Sequence, residues 1–92
     1  MAQVFHAVDP TFGWGDEDPK WPDEYSLVAT VDSDDVDKVY ELTNTIDSYW
    51  WKNAGVTPEF IGEGCRSTSV GDVIKMTDNK LFRCESIGWK EL

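Results

Sequence analysis

One stretch limits what this chain can fold into more than any other: Cys65-Arg66-Ser67-Thr68-Ser69-Val70-Gly71-Asp72-Val73-Ile74. Consecutive hydroxyl residues run into Val-Gly-Asp and then directly into the apolar segment Val73-Ile74-Lys75-Met76. Ser and Thr hydroxyls bond neighbouring backbone groups in turns, and Gly reaches conformations closed to other residues. The stretch therefore predicts a sharp turn that satisfies its own polar groups and delivers a strand into the core. Within it, Arg66 is expected to bond a carboxylate or chain carbonyls. Asp72 is expected to accept from the amides of Ser67, Thr68 and Ser69 and so pin the turn. Gly71 is the position at which a positive φ is expected.

The strand leaving this turn predicts a hairpin of Asp72–Thr77 with Leu81–Glu85. A three-residue loop, Asp78-Asn79-Lys80, sets Met76 opposite Phe82 and Ile74 opposite Cys84, which keeps the apolar residues on one face. Asn79 or Lys80 would take the left-handed position. After it, Gly88 is expected to break the strand, with Trp89 and Leu92 returning to the core. Upstream, Gln3–Val8 reads as a strand with Val4, His6 and Val8 on one face and Phe5 and Ala7 on the other. Tyr25–Val31 is a second strand, rich in β-formers and only partly alternating.

A helix should follow. Asp32 or Ser33 can cap it, and Asp34, Asp35 and Asp37 fill a first turn where acids suit the helix dipole. Val36, Val39, Tyr40, Thr43 and Ile46 recur at helical spacing and predict an apolar stripe running to about Asp47 or Ser48. Of the adjacent Trp50 and Trp51, one should pack and the other cover a neighbouring surface. Val56–Gly64 reads as a loop anchored by Phe60 and Ile61. The fold class expected is α+β, an antiparallel sheet of about four strands with one main helix on one face, in a single domain spanning residues 1–92.

Charge is distributed unevenly. The chain has a net charge of −10. Residues before Tyr49 hold twelve acids against two bases, Lys20 and Lys38, whereas the remainder balances. Such a surface repels nucleic acid and anionic membrane and attracts basic protein faces; solubility is the plainer reading of the same charge. The acidic half includes a stretch with no regular pattern, about residues 11–24, where Trp14 and Trp21 mix with Asp16, Glu17 and Asp18. Loops this long are uncommon in small domains and often functional. If the two Trp fold back, the loop is cover; if they face solvent among carboxylates, it is a contact surface. The candidate partner-binding residues are accordingly Trp14, Asp16, Glu17, Asp18, Trp21, Asp34, Asp35 and Asp37.

Other chemistries lack their residues. Calcium-loop spacing from Asp32 fails, because Val36, Asp37 and Thr43 stand where an oxygen ligand, Gly and Glu belong. Ser67 and Ser69 have no Gly-x-Ser-x-Gly elbow, and His6, the only histidine, lies at the far end of the chain. Gly13-x-Gly15 leads into acids that repel phosphate. Cys65 and Cys84 form no CxxC, so neither metal nor cofactor is expected, and no catalytic residue is assigned. With no leader or apolar run long enough to span a membrane, a cytosolic protein with reduced thiols is expected, Cys84 in the core and Cys65 in a loop.

Residues Arg66-Ser67-Thr68-Ser69-Val70-Gly71-Asp72-Val73-Ile74, with Ile87-Gly88-Trp89-x-x-Leu92 after a short strand, resemble an RS(L/T)SVGDV…G(F/W)xxL pattern. It occurs in small proteins of bacteriophages and mobile elements, including YodL-like modules. Leu42-Thr43-Asn44-x-Ile46-x-x-x-Trp50 is similar to what precedes the pattern in the phage versions, so the resemblance covers roughly residues 36–92. It implies provenance, a small protein made in the host cytosol during infection, and no activity. The function expected is a non-enzymatic accessory protein that binds and modulates a host protein with a basic face, by imitating the charge of DNA, without touching nucleic acid or membrane. It would be a monomer or small homo-oligomer. Two rivals are a ligand binder or enzyme with a pocket near Ser67-Thr68-Ser69, and a self-assembling structural protein.

Overall fold

Alternation of side chains across a strand assigns Ala2, Val4 and His6 to one face of the first strand and Gln3, Phe5 and Ala7 to the other. That strand, β1 (Ala2–Ala7), lies near the centre of the sheet in a computed structural model that describes residues 1–8, 19–45 and 48–92. The other elements are β2 (Tyr25–Val31), α1 (Val36–Thr43), a 3-10 turn at Trp50–Lys52, β3 (Val56–Pro58), β4 (Val73–Lys75), β5 (Leu81–Cys84) and β6 (Trp89–Glu91). The strands form one sheet in the order β3-β2-β1-β4-β5-β6, with every neighbouring pair antiparallel. The class is α+β, with six strands among the described residues rather than about four.

The two added strands, β3 and β6, are three residues each and sit at the sheet edges. A run so short shows no alternation to read. In β3, Pro58 is tolerated because an edge strand can spare an N–H. Gly88, expected to break a strand, instead reverses the chain: its φ is 74°, and its carbonyl accepts from Glu85 N at 3.0 Å. β6 returns alongside β5, with Trp89 opposite Cys84.

β2 alternates imperfectly because it bulges. Val4 pairs with Ala29 but Phe5 pairs with Leu27, so Val28 is the extra residue. The bulge lets the adjacent Val28 and Ala29 both be buried. The core joins Ala2, Val4, Ala29, Val31 and Ile74 of the sheet to Val39 of α1 and to Trp50. On the opposite face, Trp21 packs edge-on against Phe5 and Tyr25, with ring centroids 4.9 and 5.3 Å apart.

The β4–β5 hairpin has a three-residue loop, but one position earlier than expected. Ile74 faces Phe82, Lys75 faces Leu81, and Met76 N donates to Lys80 O at 2.9 Å, leaving Thr77-Asp78-Asn79 as the loop. Asn79 has φ 70° and its N–H donates to Met76 O, a tight turn closed by a left-handed residue. The pairing moves by two residues, an even number, so the same side chains remain on the core face.

The helix is also shorter than its apolar stripe suggests. Its cap is Asp35, neither Asp32 nor Ser33, and its carboxylate accepts from Asp37 N at 3.0 Å. It ends at Thr43, where Thr43 O accepts from Thr68 N and Asn44 turns away to donate from Nδ2 to Thr68 O and, at 3.0 Å, to Tyr40 Oη. Ile46 and Asp47 lie outside the described residues. Two other apolar assignments fail: Ile61 is fully exposed and Leu92 is 44 % exposed. Of the two expected anchors only Phe60 packs, against Trp50 and Trp51.

Candidate functional site

The 65–72 segment closes around a carboxylate. Asp72 is completely buried. Its Oδ2 accepts from Arg66 Nη1 at 2.6 Å and Ser69 N at 2.7 Å, and its Oδ1 from Arg66 Nη2 at 2.8 Å and Ala7 N at 3.0 Å. A planar guanidinium matches a carboxylate edge with two parallel bonds, and such charge-assisted pairs are the strong ones. Arg66 also donates to the carbonyls of Ser67 and Ala7, which ties the turn to the end of β1. Gly71 has φ 95°; its N–H donates to Cys84 O at 2.8 Å and its carbonyl accepts from the Tyr25 hydroxyl. Thr68 is buried, and Ser69 Oγ donates to Ser67 O. The Thr68 and Ser69 hydroxyls are thus directed at β1 and at the turn's own backbone.

β1 contributes His6 to the same cluster. His6 is 4 % exposed, with Nε2 3.0 Å from Thr68 Oγ1 and 3.8 Å from Asp72 Oδ2, and Nδ1 3.6 Å from Cys65 Sγ. Burial pulls the imidazole down to about 4, with the Asp72 charge opposing and Arg66 reinforcing. The ring is therefore neutral at pH 7, one of its nitrogens a donor and the other an acceptor between Thr68 Oγ1 and Cys65 Sγ. Burial likewise pushes the Cys65 thiol up. Trp50 Nε1 donates to the carbonyls of Cys65 and Arg66, at 3.2 and 3.0 Å, and so locks the backbone that carries the thiol. Cys65 and His6 are 59 residues apart. No spacing rule connects them; the only sequence signal was that His6 shares the core face of β1.

The acidic candidates behave differently. Trp14, Asp16, Glu17 and Asp18 lie outside the described residues. Trp21 is half-buried in the aromatic cluster on Phe5 and Tyr25. Asp34, Asp35 and Asp37 are all exposed, yet each makes an internal bond. Asp34 accepts from the Thr77 hydroxyl, which holds its carboxyl below the ordinary range. Asp35 caps α1, and Asp37 accepts from Trp89 Nε1 at 3.1 Å. The start of α1 is so fastened to the β4–β5 turn and to β6. Between these elements lies a groove of about 400 Å³ with Val36, Met76 and Phe82 as apolar lining and Asp34, Asp78 and Lys80 as its charged residues.

Among the described residues no group of His, Cys, Asp and Glu is arranged to hold a metal ion, and no helix is long and apolar enough to cross a membrane. No family model matches the chain, and neither the curated proteins nor the solved structures include one similar to it.

Proposed function

We propose that this chain is a small acidic accessory protein of bacteriophage type, acting in the host cytosol, that binds a basic face of a host protein and modulates it by imitating the charge of DNA. One observation carries the reading. Along residues 32–41, Asp32, Asp34, Asp35, Asp37 and Glu41 are all exposed against a single base, Lys38. Through Thr77, this segment abuts the turn that carries Asp78. A fold that needed these carboxylates only for its helix would need the one cap at Asp35. Asp34 and Asp37 also bond Thr77 and Trp89, yet like Asp32 and Glu41 they stay exposed, where their charge acts on a partner at a distance. Deep burial of Thr68 and Asp72 turns the polar groups near Ser67-Thr68-Ser69 inward, which favours a contact surface over a ligand pocket at that turn.

Capture of partners from host lysate at low and high salt tests the proposal. Exposed charges act over a Debye length of about 10 Å at 0.1 M salt, so binding through this surface weakens as salt rises while folding does not. Neutralising Asp16, Glu17 and Asp18 together, or Asp34 and Glu41 together, should reduce recovery of the same partner with little change in the thermal melt. Equal recovery and equal salt dependence in both variants would refute the electrostatic contact.

A further inference from the structure

The two edges of the sheet are finished differently. Antiparallel neighbours exchange backbone bonds at every second residue, and the residues between turn their N–H and C=O outward. On β3, Glu59 N donates to Val28 O and Asp32 N to Gly55 O, both at 2.8 Å, so Val56 and Pro58 are the outward residues. Pro58 has no N–H, and Val56 N donates to Asn53 O at 3.2 Å, so β3 offers no outward donor. On β6, Glu85 N donates to Gly88 O at 3.0 Å and Leu92 N to Leu81 O at 2.9 Å. Lys90, opposite Arg83, therefore turns its backbone to β5, and Trp89 and Glu91 turn theirs outward. β6 is last in the strand order, and no strand among the described residues pairs with that side. Resting on the basic-faced partner already proposed, we infer that the β6 edge takes up an extended basic segment of that partner as one more strand.

Side chains at this edge select the occupant. On the helix side of β6 lies a pocket of about 260 Å³ whose lining includes Asp37 and Tyr40 of α1, Trp89 of β6 and Glu85 of the β5–β6 turn. Trp89 stands edge-on to Tyr40, with ring centroids 5.7 Å apart, and its Nε1 donates to one oxygen of Asp37. Among the described residues the second oxygen of that carboxylate accepts no bond, which leaves it for a cation. Residues directly opposite one another in paired strands point to the same face. Residues of an added strand opposite Trp89 and Glu91 therefore project to the helix side. There a guanidinium or ammonium meets the carboxylates of Asp37, Glu85 and the exposed Glu91 and the rings of Tyr40 and Trp89. The residue between them falls on the other face, beside the exposed Lys90, where a base is repelled. The segment that fits is thus basic at two alternate positions and not basic between them. A second copy of this chain does not suit. Full antiparallel pairing of β6 with itself sets Lys90 opposite Lys90, between chains of net charge −10.

The probes are two peptides of one composition, acetyl-Thr-Val-Arg-Thr-Arg-Val-Thr-amide and acetyl-Thr-Val-Arg-Arg-Thr-Val-Thr-amide. Each is titrated into the full chain at low salt by calorimetry, with amide hydrogen exchange read at Trp89 and Glu91. Only the first peptide presents both Arg side chains on one face of a strand. It should bind about tenfold tighter, through a cross-strand charge pair and a cation–π contact, and slow exchange at both amides. Glu91→Pro removes an outward N–H without breaking a bond to β5, and should weaken that binding by at least about tenfold. Glu91→Gln, which loses the charge alone, should weaken it about threefold. If the Pro variant does not fold, the two peptides on the parent decide alone. Equal affinity for both with exchange unchanged at Trp89 and Glu91, or no binding of either, overturns the edge site. The electrostatic contact is judged separately, by whether neutralising Asp34 and Glu41 lowers salt-dependent capture, and stands or falls without it.

Discussion

Carboxylates in two stretches of this chain are put to opposite uses. In the 65–72 turn a single carboxylate, Asp72, is removed from water and given four donors. At residues 32–37 the carboxylates stay in water, and Asp34, Asp35 and Asp37 each make a bond at the surface. The comparison shows that residue type does not set what a carboxylate contributes; its surroundings do. A buried charge is costly to strand, because its partners lose an acceptor that water cannot replace. An exposed charge that loses a bond finds water in its place, and its worth to the fold is small. The buried stretch therefore belongs to the architecture, and the exposed stretch is free to serve a partner.

The sharpest way to break this contrast is Asp72→Ala. It removes the acceptor of four donors and leaves a buried cavity beside the Arg66 guanidinium. Urea unfolding should show a loss of about 3–5 kcal/mol, enough to unfold a marginal domain of this size. A loss under about 1 kcal/mol, the range of a surface pair, would mean that the turn is wet and the contrast false.

Next in size is a pH effect that the exposed stretch cannot produce. His6 is held at about 4 in the fold against 6.5 for the ordinary group. Between those values the unfolded chain binds the proton more readily, so stability falls as pH drops from about 6.5 to 4 and is fully present above that window. A shift of this size corresponds to roughly 3 kcal/mol. Unfolding free energies measured across pH 4–7 should lose this slope in His6→Gln. An unchanged slope in the variant would show that carboxylates, not the imidazole, set the acid limit.

Gly71→Val comes third. With φ 95° and no atom within 4 Å of an added Cβ, the site has room but the wrong backbone for a branched side chain. The cost should be about 1–3 kcal/mol, all of it conformational. Gly71→Asn, which tolerates left-handed backbone better, should recover part of it; equal melts for Val and Asn would remove the conformational explanation.

The same contrast explains what could be read in advance. The polar turn was legible because its chemistry is local: Ser69 N and Asp72 are three residues apart, and Arg66 and Asp72 six. The faces of the hairpin were legible because the period-2 pattern survives a shift of two residues, whereas its loop position depended on which residue would accept a positive φ. β3 and β6 were hidden by their length, and the early end of α1 by a competitor 24 residues away, where Asn44 leaves the helix to bond Thr68. The meeting of His6 with Cys65 was beyond any local rule, since it exists only once β1 pairs with β4.

The smallest expected effect sharpens the comparison from its exposed side. Asp35 and Asp34 are neighbours and both exposed, but only Asp35 accepts a helix N–H. Asp35→Ala should cost about 1 kcal/mol, the usual worth of an N-cap, because Asp37 N then relies on water. Asp34→Asn keeps a group able to accept from Thr77 and removes only the charge. Its cost should be a few tenths of a kcal/mol, fading in salt, since an exposed charge is screened within roughly 10 Å at 0.1 M. Thermal melts at low and high salt measure both. If Asp34→Asn cost as much as Asp35→Ala, and kept that cost in high salt, the Asp34–Thr77 contact would be part of the architecture. Among the described residues, the surface left for a partner would then shrink to Asp32, Glu41 and Asp78 of the hairpin turn.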